Sequence, residues 1–422
     1  MEPPSFADLF AARVRAAATP PRHLDAGECR SSDGAPCGLC YAMALTYETE
    51  ARLKAEAATL FWSSVAGAVP LAPLVFAPRG RGYRTVSKRK AFKQQGGLRL
   101  GLIGPAENPR PAGISVGRCA IEPEEHAAIY RALEEHLRNR APLPLVELLQ
   151  YAIIKGNYRE QTILFNVRAI TPALVRAANG ISRDLTKQFG KSIAGVFLFE
   201  GDPDGRYYLA PRDAGAVPEV RKVFGKNLLF LRVGELPFLY PPMVFSQVNE
   251  SLLESFVAGA RTLLSPTGTE TLYDFYCGYG LFGLSLAPFV RRVIGAESSH
   301  LAVAAAAENA RRQKVSHARF VRTLLSAESA GTVTARSPAN ALMLLDPPRS
   351  GTAPGVIEAL AGRHPRRVVH VFCNMEILSG ELDRWKKAGY RPEQAIPFDM
   401  FPGTPELEMM VLLTPVETAI RS

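Results

Sequence analysis

Over the last third of the chain, short apolar runs alternate with stretches whose apolar residues recur at helical spacing. The segment Thr271 to Ala287, TLYDFYCGYGLFGLSLA, sets the pattern. Leu272, Tyr273, Phe275 and Tyr276 form an apolar and aromatic run that stops at Gly278, and Gly280 follows after one residue. Leu281, Leu284, Leu286 and Phe289 then suit a helix, so the segment reads as strand, tight glycine turn, helix. Comparable runs predict strands at 271–276, 292–297, 318–322, 341–346, 367–373, 393–399 and 407–414, with helices between most of them. That alternation predicts a doubly wound, mostly parallel α/β sheet. Upstream, VELLQYAIIKG and QTILFNVRAI read as strands, TPALVRAANGISRDLTKQF as a helix and SIAGVFLFEG as a strand. A turn at Asp202-Pro-Asp-Gly leads into RYYLAP. Residues 145–240 therefore predict a central α+β domain, between an N-terminal region at 1–144 and a C-terminal domain at 241–422.

The glycine turn lets backbone approach a ligand closely, because glycine has no Cβ and tolerates positive φ. It is not G-x-G-x-x-G, since Phe282 and Gly283 fall in the wrong register, and it is not a P-loop. Glu297 ends the next strand, RRVIGAE, where an acidic side chain can accept hydrogen bonds from ribose hydroxyls. Asp346 ends the hydrophobic run ALMLLD. Ligands of open α/β sheets sit at the carboxyl ends of strands, so these positions describe a nucleoside-type ligand across adjacent strand ends.

Composition adds a partner class. The chain has 422 residues, 47% of them hydrophobic, and a formal net charge of +10. That excess of positive charge favours polyanionic partners. The span APRGRGYRTVSKRKAFKQQGG carries Arg79, Arg81, Arg84, Lys88, Arg89, Lys90 and Lys93, with Tyr83 and Phe92 interleaved. It can neutralise phosphates and offer rings to bases, or it is a solvated basic hairpin. No apolar segment is long enough to span a bilayer, and MEPPSFADLF lacks the order of a secretory signal, so the expected location is the cytosol. Thiols stay reduced there. Cys29, Cys37 and Cys40 form C-x7-C-x2-C, and Cys119 is the other cysteine of the N-terminal half. Four thiolates suit zinc or an iron–sulfur cluster, and spacing does not separate the two.

Three further pieces carry chemistry: Asp346-Pro-Pro-Arg349, Cys373-Asn374, and Glu408 in FPGTPELEMMVLL. Asp346 and Cys373 close hydrophobic strands, so their side chains can share one cleft with the glycine turn. A cysteine beside the helix that follows at Glu376 is expected to have a lowered pKa and to act as a nucleophile, with a nearby carboxylate as base.

The ordered set D-F-Y-C-G-Y-G, L-D-P-P-R-S-G, V-F-C-N and F-P-G-T-P-E-L-E-M-M-V-L-L, preceded by F-S-Q-V-N at Phe245 to Asn249, resembles the S-adenosylmethionine-dependent RNA uracil-5-methyltransferases. The resemblance runs from the Cys29 region to the C-terminus. It implies a Rossmann-like methyltransferase sheet, RNA as partner and a monomer. It also implies that Gln247, Tyr276, Glu297 and Asp346 bind S-adenosylmethionine, with Asp346 also facing the uracil. Phe245 would stack near the flipped base, Cys373 would be the nucleophile, and Glu408 would remove the C5 proton. The cysteine pattern resembles the ribosomal-RNA members that hold a [4Fe–4S] cluster, with Cys29, Cys37, Cys40 and Cys119 as ligands. The stretch before Cys29 is too short for the extra RNA-binding barrel of some members, so the closest likeness is to the barrel-less 23S rRNA enzymes.

The chain departs from the family at named positions. Met375 replaces the usual proline after C-N, and Gly403 replaces the histidine of F-P-H-T. Glu406 replaces a histidine two residues before the base, and Leu281 a polar residue after the glycine turn. Glu406, if close, would raise the pKa of Glu408. Four alternatives stand beside an rRNA enzyme. They are a tRNA uracil-5-methyltransferase, an RNA-binding protein without turnover, a cytosine-5 enzyme and an amino-group methyltransferase.

Overall fold

The computed structural model describes residues 4–17, 20, 22–31, 34–94, 97–104, 113–139, 142–201 and 219–416. The turn at Asp202-Pro-Asp-Gly and the RYYLAP segment lie outside the described residues. The chain forms two compact units whose segments alternate along the sequence. One comprises Met1–Pro20, Thr46–Pro78 and Leu231–Ser422, the other Pro21–Leu45 and Arg79–Phe230.

The second unit is built on a six-stranded sheet of β1 (Val86–Gln94), β2 (Gly97–Gly101), β3 (Leu149–Gly156), β4 (Gln161–Val167), β5 (Ile193–Glu200) and β6 (Val220–Gly225), in the order β2-β1-β3-β4-β5-β6. Only β4 and β5 run parallel; the other neighbours are antiparallel. The helix Pro172–Phe189 starts at Thr171, whose side chain accepts the Leu174 amide, with proline in the first turn where its missing N–H costs nothing. Leu174, Ala178, Ile181 and Leu185 recur at helical spacing and are buried in the same core as Ile163, Phe165, Val196 and Leu198 of the sheet. The strands and helix expected at 145–200 are therefore present.

The expected boundary at 144/145 cuts through this sheet, because β1 pairs with β3 from Val86↔Lys155 to Lys90↔Tyr151. The second half of the basic span is thus a strand, and Arg79, Arg81 and Arg84 precede it. Lys88 and Lys90 point to solvent while Ser87 and Arg89 point inward. Arg89 escapes the usual cost of burial through a two-pronged bond to Glu122, at 2.8 and 2.6 Å. Tyr83 is fully buried, so the expectation that its ring stacks on a base is corrected.

A hairpin, β7 (Leu229–Val233) and β8 (Leu236–Tyr240), leads to the seven-stranded sheet of the first unit. Its strands are β9 (Thr271–Phe275), β10 (Arg292–Glu297), β11 (Ala318–Arg322), β12 (Leu342–Leu345), β13 (Arg367–Phe372), β14 (Tyr390–Phe398) and β15 (Glu408–Pro415). They lie in the order β11-β10-β9-β12-β13-β15-β14. Parallel pairing joins β11 through β13, and β15 is antiparallel to both β13 and β14. The doubly wound sheet expected from the sequence is the one observed. Its order reverses at β9 and β12, the switch point where such sheets bind ligands. Helix Tyr47–Ala66 also belongs to this unit, although its sequence lies far upstream. Among the described residues no helix is long and apolar enough to cross a membrane.

Candidate active site

The strand-to-helix turn after β9 is strained where a ligand would meet it. Tyr276 has φ of 61°, and Gly278 and Gly280 have φ of 53° and 88°. A positive φ at a tyrosine persists only where the surroundings enforce it. A Cβ added to Gly278 would meet nothing within 4 Å, so the turn opens onto free space. A Cβ on Gly280 would come 3.0 Å from Leu284. The Gly278 amide donates to the Glu297 carboxylate at 3.3 Å, and the Ser299 amide donates to its other oxygen at 2.7 Å. Glu297 is thus fixed beside the turn from the neighbouring strand end. Asp274, which sequence reading passed over because it sits inside the apolar run, accepts the Gly283 amide at 2.8 Å and braces the following helix. Burial, and then nearby Asp346 and Glu297, lift its carboxyl to about 7.

Asp346 leaves β12 beside the same turn, its amide bonded to the Phe275 carbonyl at 3.3 Å. Burial raises its carboxyl to about 7, opposed by a hydrogen bond from the Gln247 side chain. Gln247 is buried, while Phe245, two residues earlier, is 55% exposed. The segment that precedes the sheet therefore brings one amide to Asp346 and leaves one ring open to solvent.

Cys373 and Glu408 meet through sheet register. Phe372 pairs with Met409 in the antiparallel β13–β15 ladder, so the next residues, Cys373 and Glu408, face each other at the sheet edge that also holds Asp346. Glu408 is buried at 2% exposure, and its carboxyl is raised well above the ordinary range by burial and then by Asp346. The Cys373 thiol is pushed up to about 12 by burial, then by Glu408 and Asp346. The expectation of a lowered pKa is corrected. Helix Met375–Lys387 does begin beside the thiol, capped by Asn374, but burial and then the Glu408 and Asp346 carboxylates raise the thiol. The Sγ lies 3.9 Å from the Pro347 carbonyl.

Arg349 acts against both shifts, lowering the Cys373 and the Glu408 pKa. The sequence placed it in D-P-P-R without a role. Its guanidinium pairs with Glu406. Glu406 is therefore held against Arg349, and the carboxylate that raises Glu408 is Asp346.

This balance predicts a pH dependence. A thiol with a raised pKa is mostly protonated at neutral pH, so attack by Cys373 speeds up as pH rises, about tenfold per unit for one proton. Arg349→Gln removes the cation that favours both ionised forms. The rising limb of kcat/KM against pH shifts to higher pH in this variant. An unshifted profile in steady-state assays from pH 6 to 9 contradicts the role given to Arg349.

The four N-terminal cysteines lie in the other unit, and all are described. The Cys29 amide donates to the Arg118 carbonyl at 2.8 Å, and the Cys37 amide to the Cys29 carbonyl at 2.8 Å. Backbone bonds thus bring Cys29 beside both Cys37 and Cys119. The thiols influence one another: Cys29 and Cys37 add to the burial that lifts Cys40 to about 11, and Cys40 adds to the larger rise at Cys119. Positive charge nearby would oppose these rises at Cys40 and Cys119. Among the described residues no group of three or more His, Cys, Asp or Glu is arranged to hold a metal ion.

Known proteins bear on these arrangements. A family model described as tRNA (uracil-5-)-methyltransferase matches residues 219–416. A 23S rRNA (uracil(1939)-C(5))-methyltransferase of Aeromonas salmonicida is 30% identical over 380 residues, covering 89% of this chain and 80% of the relative. One of the same description from Aeromonas hydrophila is 31% identical over 382 residues, with 89% and 80% covered. An RNA methyltransferase of Clostridium acetobutylicum, described as uncharacterized, is 26% identical over 400 residues, with 92% and 84% covered. Among solved structures, the Pyrococcus abyssi tRNA (uracil-54, C5)-methyltransferase in complex with S-adenosyl-L-homocysteine superposes with a TM-score of 0.64 at 20% identity, covering 88% of this chain and 84% of that one. That likeness extends to the fold.

Proposed function

Since the chain belongs to the RNA uracil-5-methyltransferase family, S-adenosylmethionine-dependent enzymes, we propose that it methylates C5 of a uridine in 23S rRNA through a covalent bond from Cys373 to C6. The observation that carries this reading is the register that sets Cys373 opposite Glu408, beside Asp346, at the edge where the glycine turn opens. The rRNA target rests on the two Aeromonas relatives. A tRNA target is the second reading, favoured by the description of the family model.

S-adenosylmethionine, when bound, supplies an electrophilic methyl group on a sulfonium. Tyr276, Glu297, Asp346 and Gln247 would hold it at the strand ends, with Glu297 facing the ribose hydroxyls. The target base must leave its stack to reach the site, and exposed Phe245 offers it a face. The Cys373 thiolate adds to C6, and the C5=C6 electron pair shifts to C5 and O4. The enolate would form the C5–methyl bond as the methyl–sulfur pair returns to the donor, leaving a neutral thioether. Glu408 removes the C5 proton, that electron pair re-forms C5=C6, and the C6–S pair returns to sulfur. Covalent addition makes C5 a nucleophile, which uracil alone is too poor to be.

For the other unit we propose a [4Fe–4S] cluster on Cys29, Cys37, Cys40 and Cys119. Backbone bonds that adjoin Cys29 to Cys37 and Cys119, and an all-thiol donor set, support it. Iron would supply positive charge that favours the thiolate at Cys40 and Cys119. Anaerobically purified protein is expected to be brown, with iron and sulfide in near-equal amounts, and zinc alone would overturn the assignment. The reading places the enzyme in the cytosol as a monomer.

The function is tested by incubating purified enzyme and methyl-labelled S-adenosylmethionine with 23S rRNA and with tRNA transcripts. Nuclease digestion and mass spectrometry should find 5-methyluridine in the rRNA. Label in tRNA alone would transfer the assignment to the second reading, and label on cytosine or on an exocyclic amine would exclude both.

A further inference from the structure

Helix Tyr47–Ala66 carries two charged side chains into a fully buried place, where a third meets them. Lys54 and Glu50, one helical turn apart, are completely buried, as is Asp399 from the end of β14. The Lys54 ammonium lies 2.8 Å from the Asp399 carboxylate, 3.1 Å from the Glu50 carboxylate, and donates to the Phe401 carbonyl at 3.0 Å. Glu50 accepts the amide of Gly403. Tyr47, at the start of the same helix, bonds to Asp399 and accepts the Ala77 amide at 2.8 Å. A buried ion cluster of this kind is a poor source of stability, since desolvation offsets attraction, but it fixes geometry tightly.

What it fixes is the segment 399–407, which leads directly into Glu408. Lys54 holds Phe401, Glu50 holds Gly403, and Asn249 donates to the Met400 carbonyl at 3.5 Å. Gly403 stands at φ 89°, which would strain any L side chain. That accounts physically for glycine where the family motif has histidine. We propose that Glu50 and Lys54 are positioning residues that hold segment 399–407, and through it the Glu408 carboxylate, over the C5 proton. The proposal rests on Glu408 being the base.

Glu50 offers a clean test, because Lys54 and Asp399 still balance each other when it is neutral. Glu50→Gln keeps an acceptor for the Gly403 amide, and its turnover stays within about threefold of wild type. Glu50→Ala deletes that acceptor. Its turnover falls about 10- to 100-fold, the range for a small misplacement of a reacting group. Binding of S-adenosylhomocysteine and trapping by 5-fluorouridine RNA stay near wild type, since neither needs the C5 proton removed. On ordinary uridine RNA, Glu50→Ala accumulates the methylated covalent adduct, as Glu408→Gln does in parallel. If Glu50→Ala is not folded by thermal melting, Lys54→Met is read in the same assays with the same expectation. Wild-type turnover, or loss of trapping together with turnover, in the folded variant overturns the positioning role. Failure of Glu408→Gln itself to accumulate adduct overturns the assignment of the base instead.

Discussion

Glu408→Gln is expected to stall the enzyme after methyl transfer, with RNA still bound to Cys373. The carboxylate faces the cysteine across the β13–β15 ladder and is buried, so no solvent base replaces it easily. Loss of a positioned base costs about 10²- to 10⁴-fold in turnover. The earlier step is not slowed for want of a thiolate, because Glu408 raises the Cys373 pKa only when ionised, and glutamine, always neutral, does not. Attack proceeds and release fails. Gel electrophoresis of enzyme mixed with ordinary uridine RNA should therefore show a slow-migrating complex that wild type does not accumulate. Turnover near wild type, with no such complex, contradicts the role.

Cys373→Ala produces the larger loss of turnover and the opposite gel. Without the thiol no bond forms to C6, C5 stays a poor nucleophile, and the methyl group remains on its donor. Nucleophile deletions in enzymes with covalent intermediates cost about 10⁶-fold. Thermal stability should change little, because the thiol is only partly buried at a strand end and holds one weak contact to the Pro347 carbonyl. Residual methylation above about one thousandth of wild type by Cys373→Ala would point to direct transfer without addition.

The sheet was legible in the sequence because most of its strands are apolar runs bounded by turn residues, and β9 to β13 alternate with helices; β11 (ARFVR) and the first half of β14 (YRPEQ) are the polar exceptions. The glycine turn, Glu297, Asp346, Cys373 and Glu408 were legible for the same reason: each terminates or begins such a run. Other features depend on three dimensions. The rise of the Cys373 pKa comes first from burial and then from Glu408, which only register brings across from it. Arg349 and Glu406 are 57 residues apart, and only folding shows that they pair. Strand β1 was obscured because its inward residues include Ser87 and Arg89, which break the apolar alternation. Lys54 and Asp399 are 345 residues apart, and a lysine on a helix ordinarily reads as solvated.

Mapping the bond between the enzyme and RNA that carries 5-fluorouridine at the target is the most direct measurement. Fluorine at C5 cannot be removed as a proton, so the adduct persists through digestion. Mass spectrometry should find the modified nucleotide on the peptide containing Cys373, one methyl group heavier than the fluorouridine, and Cys373→Ala should give none. An adduct on Cys277 or another residue, or equal trapping by wild type and Cys373→Ala, would contradict covalent attack from the end of β13.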